Sequence, residues 1–192
     1  MTRRLVLVSI AAVGLTACNP PEAKAPEVQA PAASVLAPHG TSFAAGPAVT
    51  PTEVTALITA SGATAAVAAL DPNSETPTRW STVMRGIALG EPAWLAIVSA
   101  LEPGTENSSA YDLNDALHDA LINNAAGALG TIQGDEDLRP EAFCAIDLIE
   151  APPSAYAAFY DAATPAVEAV TDPALAEKKA ACLTFLKART GA

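Results

Sequence analysis

The sequence predicts an all-α domain, a small right-angled stack of short helix pairs or an irregular bundle, carried on a Pro/Ala-rich linker. Three observations predict it. Apolar residues recur at helical spacing in one segment after another. Several segments open on a capping residue followed by proline. No stretch alternates strictly enough for a strand. Alanine, the best helix former, is the commonest residue, and its small side chain lets helices pack closely.

The helix starts have a mechanism. At Thr50-Pro51, Thr76-Pro77, Thr164-Pro165 and Asp172-Pro173 a side-chain oxygen can accept an orphan backbone N–H. Proline at the next position lacks only an N–H that would be unpaired anyway. Thr50 with Glu53 adds a capping box. Helices are expected near 51–61, 63–70, 78–89, 91–102, 109–123, 125–132, 140–149, 153–163, 165–170 and 173–189. Trp80, Val83, Met84 and Ile87 form one apolar stripe, Trp94, Leu95, Val98 and Leu101 a second, and Leu113, Leu117 and Leu121 a third. Leu175, Cys182, Phe185 and Leu186 repeat the pattern on the last helix. Each stripe reads as core rather than as a cofactor box. The polar loop from Glu102 leads to a cap at Ser108 or Ser109.

A weak repeat runs through the first half. Ile58-Thr59-Ala60-Ser61-Gly62, Ile87-Ala88-Leu89-Gly90 and Leu121-Ile122-Asn123-Asn124 each end a helix at Gly or Asn, and a short second helix follows. The period of about 30 residues is that of paired-helix repeats. It resembles HEAT repeats in period, not in motif.

The N-terminus carries an address. Arg3 and Arg4 precede the uncharged, mostly aliphatic run Leu5–Leu15, and Thr16-Ala17 supplies small residues before Cys18. That run is too short to span a bilayer, which takes about 20 residues. Leu15-Thr16-Ala17-Cys18 resembles the lipobox of bacterial lipoproteins. The resemblance implies a signal peptide over residues 1–17, diacylglycerol on Cys18, cleavage before it and acylation of the new amino group. Multiple acyl chains hold a protein stably at a bilayer, the first expected partner. Asn19 in place of an Asp favours the periplasmic face of the outer membrane over the inner membrane. Residues 18–50 then form the linker. Pro20, Pro21, Pro26, Pro31, Pro38 and Pro47 keep it semi-extended, with a reach of up to about 100 Å as polyproline II. His39 lies in this tether, and residues 51–192 form the helical domain.

With Cys18 lipidated, Cys144 and Cys182 remain, and an oxidising compartment favours a disulfide between them. Two free thiols or a redox pair are the alternatives, but the spacing lacks a C-x-x-C signature.

Formal net charge is −11, more negative once Arg3 and Arg4 are removed. Such a chain has no basic cluster with which to neutralise phosphates, which argues against nucleic acid. An electrostatically steered partner would be a basic protein. From Gly86 to Leu138 there is no Lys or Arg, while nine acidic residues occur. Asp112, Asp115 and Asp119 fall on one helical face with His118 beside them, and Asp135-Glu136-Asp137 forms a second cluster. Together these seven residues are the candidate acidic interaction face. As a single histidine in the domain, His118 makes a poor start for a metal site, and no metal or cofactor is expected. Asp135-Glu136-Asp137 lacks the spacing of a calcium loop.

Catalytic signatures (G-x-S-x-G, a P-loop, H-E-x-x-H, a dinucleotide fingerprint) do not occur. The expected function is therefore a non-enzymatic, membrane-tethered helical interaction module. Two rivals remain: an inhibitor or immunity lipoprotein that blocks a cationic envelope hydrolase or toxin, and a carboxylate-dependent envelope enzyme, whose two acids leave no local motif.

Overall fold

The structure, a computed structural model, describes residues 43–134, 138–146 and 153–190. The lipobox with Cys18, most of the tether with His39, and Asp135, Glu136 and Asp137 lie outside the described residues. Every regular element within them is helical, as the periodicity predicts.

The folded part reaches back to Phe43, before the boundary expected at residue 51. Proline and glycine keep this stretch extended, but side chains on the next helices satisfy its backbone. Thr82 Oγ1 donates to the Pro47 carbonyl and Arg85 to that of Phe43, and Val49 is buried. The first helices, α1 (Pro51–Ser61) and α2 (Ala63–Leu70), form a hairpin around Gly62. At φ 83°, that residue occupies backbone space that side chains disfavour. The capping box at Thr50 is formed: the Glu53 N–H donates to Thr50 Oγ1, and the Thr50 N–H to Glu53 Oε2 at 2.7 Å.

The next helix, α3 (Arg79–Ala88), starts two residues later than Thr76-Pro77 suggests. Thr78 takes over as the cap. Its N–H donates to Ser81 Oγ while its own hydroxyl donates to the Asp71 carbonyl. The single helix expected over 91–102 is broken into α4 (Pro92–Leu95), α5 (Val98–Leu101) and a 3₁₀ turn, Glu102–Gly104. Trp94, Leu95, Ile97, Val98 and Leu101 are all buried, more than one face of a straight helix can hide. A bend at Ile97, whose N–H bonds the Trp94 carbonyl, lets both sets turn inward. Gly86 gives the Trp94 ring its seat, since an added Cβ would overlap the indole.

The longest helices are α6 (Ser108–Asn123) and α9 (Pro153–Glu168). Neither Ser108 nor Ser109 is the N-cap of α6. Asn107 holds that position at φ 49°, and the Ser109 hydroxyl bonds backbone atoms of Glu106 instead. Helix α7 (Ala125–Thr131) follows at once, and Asn124 accepts from the Gly127 N–H to cap it.

Two helix pairs form a short stack. Helix α3 and the segment Pro92–Gly104 meet at 109°, α3 lies on α6, and α4 lies on α7. The corners that the weak repeat aligns face each other: Asn123 Nδ2 donates to the Ala88 carbonyl at 2.8 Å, and Asn124 Nδ2 to that of Gly90 at 2.7 Å. The repeat ends there. Helix α8 (Pro140–Cys144) and α9 pack on α6, and α10 (Ala176–Thr190) lies across both after a 3₁₀ turn at Pro173–Leu175. Cys144 and Cys182 form a disulfide with their Cα atoms 5.3 Å apart, tying α8 to α10.

Helix α9 departs most from the sequence reading. It runs unbroken through Pro165, where a new helix is expected to start. Proline denies the Asp161 carbonyl its N–H, but Asp161 is exposed and water can replace that bond. Phe159, Tyr160 and Ala163 before the proline and Val167 after it are all buried, so packing on both sides keeps the helix whole. Helix α8 likewise stops at Cys144; residues 147–149 of the expected longer helix lie outside the described part.

Candidate functional site

Helix α6 is enclosed by α3, α7, α8 and α9. Its exposed strip is consequently narrow, and the structure divides the predicted acidic face. Asp115 stands in solvent, Asp112 and Asp119 are half-buried, and His118 is buried. His118 therefore belongs to the core and not to an exposed face.

Asp112 has a structural bond. Trp80, 2% exposed on α3, donates its indole N–H to Asp112 Oδ2 at 2.9 Å. A buried indole needs an acceptor, and a carboxylate gives the strong charge-assisted kind. The bond ties α3 to the first turns of α6. Beside it opens a cleft of about 560 Å³, bounded by the loop 72–77 and the starts of α3 and α6. Ser108 Oγ donates to Asn73 Oδ1 at 2.8 Å across one edge of this cleft. Glu75 and Asp112 line it, and among the described residues no Lys, Arg or His does.

Asp115 lies one turn beyond Asp112. Desolvation of its sheltered part and then the negative charge of Asp112 raise its pKa above the usual carboxylate range. Tyr111 stands four residues before Asp115, on the same side of α6, and is 67% exposed. It is the one large apolar side chain so exposed among the described residues. Sequence reading missed it. The available signal was its position outside the Leu113-Leu117-Leu121 stripe, next to acids.

No group of three His, Cys, Asp or Glu suited to a metal occurs among the described residues. Cys144 and Cys182 are consumed by their bond. Neither ring nitrogen of His118 has a hydrogen-bond partner among the described residues, so no nucleophile–base pair is formed with it there. What the surface offers is negative charge beside an exposed aromatic ring, a pairing that suits a cationic side chain. No family model, curated protein or solved structure matches the chain.

Proposed function

We propose that this protein is a lipid-anchored helical interaction module of the bacterial envelope, held by Cys18 at the periplasmic face of the outer membrane. Its α6 edge binds a basic protein partner. The observation that carries this reading is Tyr111, exposed on α6 one turn from Asp115 and next in sequence to Asp112, which lines a cleft that holds no Lys, Arg or His among the described residues. Tyrosine is enriched at the energetic centres of interfaces, and complementary charge accelerates encounter. No single helix among the described residues is long and apolar enough to cross a membrane, which is compatible with anchoring through acyl chains.

The test is crosslinking in intact envelopes, followed by affinity measurement with the captured partner. Binding should weaken as salt rises. Combining Tyr111→Ala with Asp115→Asn should weaken it at least tenfold while leaving the fold intact, since both side chains are exposed. Cys18→Ser should release the protein from membranes. A partner held equally well by the double variant would overturn the assignment of the α6 edge. Turnover of an envelope substrate that one carboxylate substitution abolishes would overturn the non-enzymatic reading.

A further inference from the structure

The α6–α8–α9 junction contains a buried group that the proposed function does not use. His118 is 7% exposed, and neither ring nitrogen has a hydrogen-bond partner. Its ring meets Phe159 of α9 edge-on, with centroids 5.4 Å apart. The backbone of Ala142 in α8 lies against it, in a contact whose geometry falls short of a hydrogen bond. With no hydrogen-bond partner, the buried imidazole has only Asp115, at the outer limit of an ion pair, to offset the cost of a second proton. We propose that His118 is an acid-operated latch: neutral, it seats α8 and α9 on α6, and protonated, it must leave that seat and loosen them.

The surrounding charges do not rescue the protonated ring in place. On α6 the closest is Asp115, with Oδ1 at 4.0 Å from Nδ1, the outer limit of an ion pair. Asp119, half-buried, is the other acid of that helix nearby in sequence. Helix α8 brings exposed Glu141, with Arg139 at its N-cap. Helix α9 brings Tyr156, Tyr160 and exposed Asp161; its Glu168 pairs with Lys187 of α10. Helix α7 has no titratable residue, and Arg79 and Arg85 of α3 donate to the Ala69 and Phe43 carbonyls. Burial outweighs the Ala142 contact and lowers the His118 pKa to about 4. The open ring takes its proton near 6.5. As pH falls through that value the open state binds more protons than the closed one, so opening gains; below about 4 the gain levels off. Asp115, with its raised pKa, works in the opposite sense as it protonates, and moderates the effect.

The test follows amide hydrogen exchange by NMR in the full-length chain carrying His39→Gln, so that one imidazole remains. Protection factors, corrected for the intrinsic effect of pH on exchange, should fall in α8 and α9 by about 20-fold between pH 7 and pH 5. Those of α1 and α2 should not change. His118→Leu should abolish the drop. If that variant does not fold, the imidazole titration of the parent decides, with a midpoint near 4 supporting a sealed seat. A midpoint near 6.5, an unchanged drop in the variant, or equal loss of protection in all helices would overturn the latch.

Discussion

The two halves of this domain are held together differently. In the stacked half, α3–α4 on α6–α7, the corner ties are neutral, two asparagine side chains that reach across to backbone carbonyls, and the Trp80–Asp112 bond is the one charge-assisted tie described there. In the C-terminal layer the ties are covalent or charged. A disulfide joins α8 to α10, Lys179 Nζ donates to the Glu168 and Val170 carbonyls at the end of α9, and Lys187 pairs with Glu168. The difference has a physical basis. Successive corners of a repeat meet automatically, so a polar side chain at each suffices. Helices outside the repeat have no such register, and α8 is only five residues long, too short to hold itself.

The contrast breaks most visibly at the disulfide. Replacing Cys144 and Cys182 together with alanine frees a 38-residue separation, for which loop-closure entropy gives a loss of about 4 kcal/mol. Both sulfurs are fully buried, so two small cavities add to the loss. Thermal unfolding should show Tm lowered by roughly 10 °C. Protection of α8 should be lost before that of α3 and α6. Reductant acting on the native protein should reproduce the effect slowly, because the bond is sealed. A Tm within a degree of the parent would mean that packing alone holds the C-terminal layer.

A smaller effect is expected from the neutral ties. Asn124 caps α7 through Oδ1 and holds the Gly90 carbonyl through Nδ2. Asn124→Ala removes a cap and strands a part-buried acceptor, a cost of about 2 kcal/mol, readable as a lower urea midpoint at unchanged slope. Combined with the cysteine replacements, the two losses should add to within about 0.5 kcal/mol if the halves are independent. A larger coupling would show that α6, which touches both halves, transmits strain between them.

Legibility in the sequence follows the same division. The stripes on α3 and α6 are visible because each lies on one helix, and the corner residues Gly90 and Asn124 because they recur at a fixed interval. The C-terminal layer misleads where packing overrides local chemistry: Pro165 looks like a helix start, yet burial on both sides carries α9 through it. The candidate site was legible in part. Asp112, Asp115 and Asp119 share a helix, as expected, but enclosure by four neighbouring helices leaves only part of that face exposed. Ile122, four residues after His118 and buried, is the clue that the ring points inward. The Trp80–Asp112 bond joins residues 32 apart in sequence, and nothing local announces it.

The smallest effect lies outside both halves, in the α1–α2 hairpin, and it separates local from tertiary stabilisation. Among the residues of α1 only Val54 is fully buried, and the hydroxyls of Thr55, Thr59 and Ser61 donate to carbonyls of their own helix. Its start depends on the Thr50–Glu53 box. Thr50→Ala removes the hydroxyl that accepts the Glu53 N–H, a loss of about 1 kcal/mol by the usual worth of a cap. The same hydroxyl and the Thr50 N–H are what hold the Glu53 carboxyl below its ordinary pKa. The box is therefore complete above pH 4.5 and weakens as pH falls through the lowered value, a dependence that the variant should largely lose. Exchange at the first amides of α1 should rise in Thr50→Ala, while the midpoints set by the disulfide and by Asn124 stay in place. If global stability falls by more than about 2 kcal/mol, the hairpin cannot be a peripheral element fastened by its own cap, because that much exceeds what a cap supplies. The strap from Phe43 to Val49, which leads into Thr50 and lies on α3, would then be the route by which α1 supports the stack.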